Sequence, residues 1–433
     1  MTAAPNPRYA KSREMFARAS RVIPGASQTF SKSHIAYPEG QAPLFLSHGK
    51  GSHVWDVDGN EYVDFVNGLL PVILGYDDPD VTAAVVDQLG RGITFSLATE
   101  AEVRLAERLV EIIPCAEKVR FGKNGSDATA GAVRVARAFT GRDRVAVCGY
   151  HGWQDWYIGT TARHKGVPQA TRDLTSPFPY NDLEALDRAL AAHPGEFACV
   201  IMEAMNAVEP APGYLQGVKD IAHRHGALFI LDEIITGFRY ALGGAQDLFG
   251  VTPDLASFGK GMGNGFPISA VVGRADVMAQ MEDVFFSFTA GGEAVSIAAA
   301  LATIDKVQRE NVVGHLWRQG GRVVTALAER IAAHGLGDVL SVSGKPCWPL
   351  LGIQDTPGAT AWEIKTLYLQ EMLARGILVQ GGLNFSFAHD DTDIDSLLAA
   401  YDDVLPMIAL AVRDKAMAQF LKCDPMRPVF RVR

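Results

Sequence analysis

Cysteine is scarce and scattered: Cys115, Cys148, Cys199, Cys347 and Cys423 are the only five in 433 residues, and no two stand at Cys-x-x-Cys spacing. An odd number cannot pair fully within the chain, so a disulfide framework or a cysteine-based zinc site is excluded. No apolar run is long enough to cross a bilayer, and the opening MTAAPNPRYAKSREMF lacks the apolar core of a secretory signal. A soluble, cytoplasmic protein is the expectation. Basic runs are missing too, and 40 Lys+Arg against 49 Asp+Glu leave a formal charge of −9. Nucleic acid is therefore excluded as the main partner. There is no internal repeat and no low-complexity tract, and the phosphate loop GxxxxGK[ST] is absent.

What remains is a chain rich enough in apolar residues, 48%, to bury a large core, and long enough to organise two or three lobes. Between Phe121 and Val272, short β-rich apolar runs (144–148, 197–202, 227–231, 255–258 and 268–272) alternate with helical patterns. That alternation predicts an α/β fold with a mostly parallel central sheet covered by helices. Helices are predicted over 102–113, where Pro114 stops the run, and over 215–225, where Gly226 serves as the cap. Asp58-Gly59 between alternating runs predicts a hairpin. The tail alternates helices (316–334, 361–375 and 393–412) with short strands, which gives a smaller α+β domain. We therefore expect residues 1–70 to join the small domain, 71–313 to form the large domain, and 314–433 to complete the small one.

Four segments carry chemistry, and each has an ordinary structural reading beside the functional one. In Leu255-Ala-Ser-Phe-Gly-Lys260-Gly-Met-Gly-Asn-Gly265-Phe-Pro267 a lysine follows an apolar strand among small residues, where its amine can meet a ligand closely and form a Schiff base. A solvated loop lysine is the alternative. In Phe229-Ile-Leu-Asp232-Glu233-Ile234 a carboxylate ends a buried strand and needs a cation. A pyridinium nitrogen would serve, as would a metal or Arg239. The segment Asn124-Gly125-Ser126-Asp127 enters a helix, offering either a phosphate cradle or a plain N-cap by Asn124 or Ser126. Gly149-Tyr150-His151-Gly152-Trp153 follows another strand, with Tyr150 able to stack on a flat cofactor or simply to pack. No second His or Cys stands at ligand spacing from His151, so no metal is expected.

In this order the segments resemble the class III aminotransferases, pyridoxal-phosphate (PLP) enzymes of fold type I, and in particular their glutamate-1-semialdehyde aminomutase-like branch. IPGA at 23–26, VWDVDGNEYVDF, GYHG at 149–152, LDEIITGFR and SFGKGMGNGFP carry the likeness over nearly the whole chain. The resemblance implies that Lys260 holds PLP as a Schiff base and shuttles the proton. It implies that Asp232 pairs with the pyridine nitrogen, that Tyr150, beside His151, stacks on one ring face, and that Ile234 covers the other. Gly125 and Ser126 match the phosphate turn, with Asn124 beside them, and Glu203 matches a supporting glutamate. Thr289 matches a threonine that reaches the neighbouring subunit's phosphate, which implies a homodimer with shared sites. The implied activity is ping-pong transfer of an amino group from a donor to a carbonyl acceptor through pyridoxamine phosphate.

The chain departs from the aminomutase pattern where substrate is gripped. Lys32 stands where an arginine is usual, and a point charge replaces the planar fork suited to carboxylate. Gly381-Gly382 replaces an expected acidic residue, and the small-residue gate is replaced by Asp155–Lys165, bulky and basic. Transamination between separate partners is thereby favoured over the internal transfer of an aminomutase, which stays as the alternative. Trp153, Trp156, Tyr157, Arg163, His164 and Lys165 are read as a wall for a sugar-like or phosphorylated acceptor, against a plain packing role. A binding protein of the same fold without turnover is the third reading.

Overall fold

The computed structural model describes residues 6–205 and 207–428. Near the start, Leu46–Lys50 (β1), His53–Asp56 (β2) and Glu61–Asp64 (β3) form an antiparallel meander. The Asp58-Gly59 turn joins β2 to β3, with Gly59 at φ 89°. Asp56 fixes it by accepting from the Asp58 and Asn60 amides at 3.0 and 2.8 Å.

Seven strands make the large sheet: Lys118–Gly122 (β4), Arg144–Cys148 (β5), Thr175–Pro177 (β6), Phe197–Glu203 (β7), Leu228–Asp232 (β8), Leu255–Phe258 (β9) and Ser269–Gly273 (β10). Their order is β4-β10-β9-β8-β7-β5-β6. The run from β9 to β6 is parallel, and every residue of β7 and β8 is buried, as strands covered on both faces should be. β10 departs from the parallel run and pairs antiparallel with both β9 and β4. The stretch 259–268 that links it to β9 is too short for the crossover that a parallel partner requires.

Helix limits follow local chemistry. Glu100–Ile112 starts on a Thr99/Glu102 capping box, and Gly125–Thr140 starts on an Asn124/Asp127 box and ends at Gly141 in the left-handed region. Beyond the sheet, Leu340–Lys345 (β11) and Trp348–Ile353 (β12) form a hairpin, while Ile377–Leu378 (β13) runs parallel to β3. β13 joins the amino-terminal meander to the carboxyl-terminal part, which also holds the helices Ala361–Ala374 and Asp391–Arg413.

Two units result. One gathers residues 6–69, 74–78 and 314–428, and the other holds 70–73, 79–205 and 207–313. The sequence boundary at 70/71 thus falls inside a short stretch, 70–73, that packs with the larger unit, and 74–78 return to the smaller one. All five cysteines are free thiols. Among the described residues, no helix is long and apolar enough to cross a membrane, and no cluster of three potential ligands could hold a metal ion.

Candidate active site

Parallel strands bring their carboxyl ends to one edge, and β5, β7, β8 and β9 end there in the candidate residues. The pairing of β7 with β8 sets Glu203 beside Asp232, and that of β8 with β9 sets Asp232 beside Ser257, three residues before Lys260. Asp232 is buried, with 4% of its surface exposed. One oxygen accepts from the Ile234 amide at 3.1 Å, and the other is bonded to His151 Nδ1 at 2.7 Å. Among the described residues the side chain bonded to Asp232 is thus His151, while Arg239, the other candidate partner, is buried and donates to the Leu70 carbonyl at 3.1 Å. A carboxylate offers about four acceptor positions, so Asp232 keeps capacity for a further cationic donor.

His151 is held at both ends of its ring, since Nε2 contacts the Cys148 carbonyl at 3.2 Å. Its own carbonyl accepts from Thr129 Oγ1 at 2.8 Å, and Trp156 stacks on the ring at 6.2 Å between centroids. Here the sequence reading is corrected. Trp156 and Tyr157 belong to the core and brace His151 and Gly149, the latter through Tyr157 Oη donating to the Gly149 carbonyl at 2.8 Å. Large aromatics at the start of a short helix satisfy burial first. Trp153 is 66% exposed, Arg163 and Lys165 are exposed, and His164 is bonded to the Thr161 carbonyl, so the six residues do not form one wall.

Lys260 opens a short 3₁₀ turn directly after β9. It is partly buried, and among the described residues its amine has no hydrogen bond or ion pair. Burial pushes its pKa below the ordinary lysine value, and the nearby charges of Asp232 and Glu203 pull in the opposite direction without cancelling it. Glu203 is buried as well and accepts from the Tyr150 amide at 2.9 Å. Burial, then the charge of Asp232, raises its pKa. The loop closes this tightly because residue 149 is glycine: at φ +107° a Cβ there would fall 2.5 Å from Glu203 Oε2. Tyr150, 44% exposed, meets Tyr157 edge-on at 5.6 Å.

Asn124 is the N-cap of the Gly125–Thr140 helix. Its Oδ1 accepts from the Asp127 amide at 3.2 Å and its Nδ2 donates to Asp127 Oδ2 at 2.9 Å, so the capping role weighed for it is present. The Gly125 and Ser126 amides lie in the first turn, where no intrahelical carbonyl reaches them. A Cβ on Gly125 would press to 3.0 Å from Ile234 Cγ2, and one on Gly259 to 3.1 Å from Ile234 Cδ1. Ile234 thus lies against both the helix start and the turn that carries Lys260. Ser126 Oγ accepts from the Trp153 amide at 3.3 Å.

Two supporting residues escape the sequence reading. Thr129 holds the His151 carbonyl, and Ser269 Oγ donates to the Asn124 carbonyl at 2.8 Å. Thr129 lies one helical turn beyond Ser126, a spacing that hints at a shared face. Nothing local marks Ser269, which arrives through the antiparallel pairing of β10 with β4. Thr289 is exposed in the segment before the Ala294–Arg309 helix, with no described bond to the cluster. Lys32 is exposed in the other unit, where its charge acts on Asp64.

An amine without a partner, a buried carboxylate with acceptor capacity and unbonded helix amides fit a group bearing a carbonyl, a cationic nitrogen and an anion. Comparison with known proteins agrees. The model of the family described as "Aminotransferase class-III" matches residues 35–378. A 3-aminobutyryl-CoA aminotransferase of Cloacimonas acidaminovorans is 36% identical over 396 residues, 90% of this chain and 94% of the relative. A glutamate-1-semialdehyde 2,1-aminomutase of Halobacterium salinarum is 40% identical over 341 residues, 75% of this chain and 76% of its own. The structure of the PLP internal aldimine form of FumI from Sphingopyxis sp. MTA144 superposes with a TM-score of 0.87 at 28% identity, covering 96% of this chain and 98% of that one. The chain belongs to the class III aminotransferases, PLP-dependent transaminases of fold type I.

Proposed function

We propose that this protein moves an amino group from a donor amine to a separate carbonyl acceptor in two half-reactions, with Lys260 as covalent anchor and proton carrier. The observation that carries the proposal is the shielded Lys260 amine, which has no hydrogen bond or ion pair among the described residues and whose charge burial disfavours. When bound, PLP supplies an aldehyde for covalent capture of amines and a ring that accepts electrons from the substrate carbon. Asp232, steadied by His151 and the Ile234 amide, would hold the proton on the ring nitrogen. Tyr150 and Ile234 would hold the ring, and the Gly125 and Ser126 amides would hold the phosphate. Glu203 fixes the Tyr150 backbone and lends negative charge near Lys260.

For the acceptor we favour a carbonyl compound bearing an anionic group, for which Arg163, exposed in the unit that holds Lys260, supplies positive charge. The case for a sugar is weaker, because Trp156 and Tyr157 are committed to the core. The relative named for 3-aminobutyryl-CoA supports an amine placed away from the α-carbon. The relatives named as aminomutases support internal transfer as the second reading. Following the absorbance of the bound cofactor across a panel of amines separates the two. Donor alone is expected to convert PLP to its amine form, and added acceptor to restore it. Isomerisation of one compound with no dependence on a second would favour the aminomutase.

A homodimer belongs to the same proposal. Ile93, Phe95, Leu97, Val103, Phe285 and Phe288 are exposed apolar residues of one unit, 37–85% accessible, and Val103 and Phe288 share a cavity of about 430 Å³. Apolar patches of this kind mark an association surface, and Thr289 follows Phe288 directly. Phe285→Asp removes about 1.5–3 kcal/mol of side-chain burial on each side of a two-fold contact. We expect it to elute as a monomer in size-exclusion chromatography and to release PLP, while a variant that remains dimeric would speak against this face. A cytoplasmic setting completes the reading, supported by the five free thiols.

A further inference from the structure

The unit that contains residues 314–428 holds a second cavity, about 240 Å³ in volume, whose lining includes Leu351, Ile353, Trp362, Lys365, Gln380 and Gly381. β12 supplies the two aliphatic residues. The Ala361–Ala374 helix supplies Trp362 and Lys365, three residues apart and so on one face. The turn after β13 supplies Gln380 and Gly381, and the Leu351 amide pins it by donating to the Gly381 carbonyl at 3.0 Å. Gln380 is held in turn, with its Nε2 donating to Tyr37 Oη at 3.0 Å and to the Ser31 carbonyl. The walls are thus fixed by bonds within one unit.

Lys365 is the unexplained group. Its Nζ lies 5.2 Å from the centroid of the Trp362 ring, and among the described residues it has no acidic partner and no hydrogen-bond acceptor. Other shielded lysines of this chain reach acids: Lys123 reaches Glu293 at 3.0 Å and Lys306 reaches Asp80 at 3.7 Å. Lys365 shares its condition with Lys260, and burial lowers its pKa likewise. A shielded cation is costly unless something answers its charge, and a cavity opens beside this one. A Cβ on Gly381 would stand 4.0 Å from Nζ, so the backbone leaves the amine room to meet a ligand.

We propose that this cavity binds a small organic anion, a phosphate or carboxylate joined to a planar or apolar body. The Lys365 ammonium takes the charge, and the Trp362 ring with Leu351 and Ile353 takes the body. The inference goes beyond the transamination reading and does not depend on it, because binding is measured directly.

The test is calorimetric titration of the full-length, PLP-loaded protein with phenyl phosphate, with phenol as the uncharged control. Loading keeps the probe's phosphate away from the Gly125 and Ser126 amides. One saturable phenyl phosphate per chain is expected, with no saturable phenol. Lys365→Met should weaken binding by about tenfold or more, as loss of a charge-assisted contact does, while Lys365→Arg should stay within about threefold. Methionine preserves the apolar stem, and thermal unfolding of each variant verifies folding. Should Lys365→Met fail to fold, Lys365→Gln takes its place.

Equal affinity in wild type and the charge-removing variant, or no saturable binding at all, would overturn the proposal and leave Lys365 as a plain cation-π partner of Trp362.

Discussion

Lys260→Ala is expected to lower turnover by about 10⁴-fold or more, because one amine performs two tasks. In the proposed reaction it would hold the cofactor covalently and, once displaced by substrate, would carry the proton. Loss of a positioned general base alone costs about 10²–10⁴-fold, and loss of the nucleophile adds to that. The surroundings prepare it for both. Burial disfavours the ammonium, and the negative charges of Asp232 and Glu203 recover only part of that cost. A lowered lysine pKa leaves a larger neutral fraction near pH 7, and the neutral amine is the form that attacks an aldehyde. The rate at which apoprotein captures PLP should therefore rise with pH and level off below the ordinary lysine range. Steady-state rates and the absorbance of the variant with added PLP check the prediction. Retained turnover in Lys260→Ala, or capture that rises only at the pH of a solvent-exposed lysine, would contradict it.

Asp232→Asn carries the second large effect. The substitution keeps shape and burial, yet an amide carries no charge to hold a proton on the ring nitrogen, and it weakens the 2.7 Å contact with His151. A fixed charge in a dry site matters most where charge develops, and removing one such stabilising group costs about 10²–10³-fold in kcat. We expect that loss in kcat with PLP still bound and with KM changed little. Unchanged turnover would mean that the carboxylate serves only to fix His151.

The strands and helices around the site could be read from periodicity because β5, β7 and β8 are short apolar runs bounded by glycine and polar turns. The direction of β10 was legible only in principle: the 259–268 link is too short for a crossover, a limit that matters more than the apolar pattern. Candidate residues on strand ends and glycine turns stand out in the sequence because spacing and residue type point the same way there. Partnerships across the chain were not. The contact between His151 and Asp232 bridges 81 positions, and Ser269 meets Asn124 across 145. Trp156 and Tyr157 misled because an aromatic beside a site has the same sequence signature whether it faces ligand or core. Lys365 has no local mark at all, since its isolation depends on which acids the fold leaves out of reach.

The central claim is that Lys260 is the one residue to which the cofactor is covalently bound. Borohydride reduction of the PLP-loaded protein, followed by digestion and mass mapping, tests it most directly. The account predicts a single phosphopyridoxyl label on the peptide containing Lys260, absent from Lys260→Ala. A label on another lysine, or none on a protein shown to bind PLP, would contradict it.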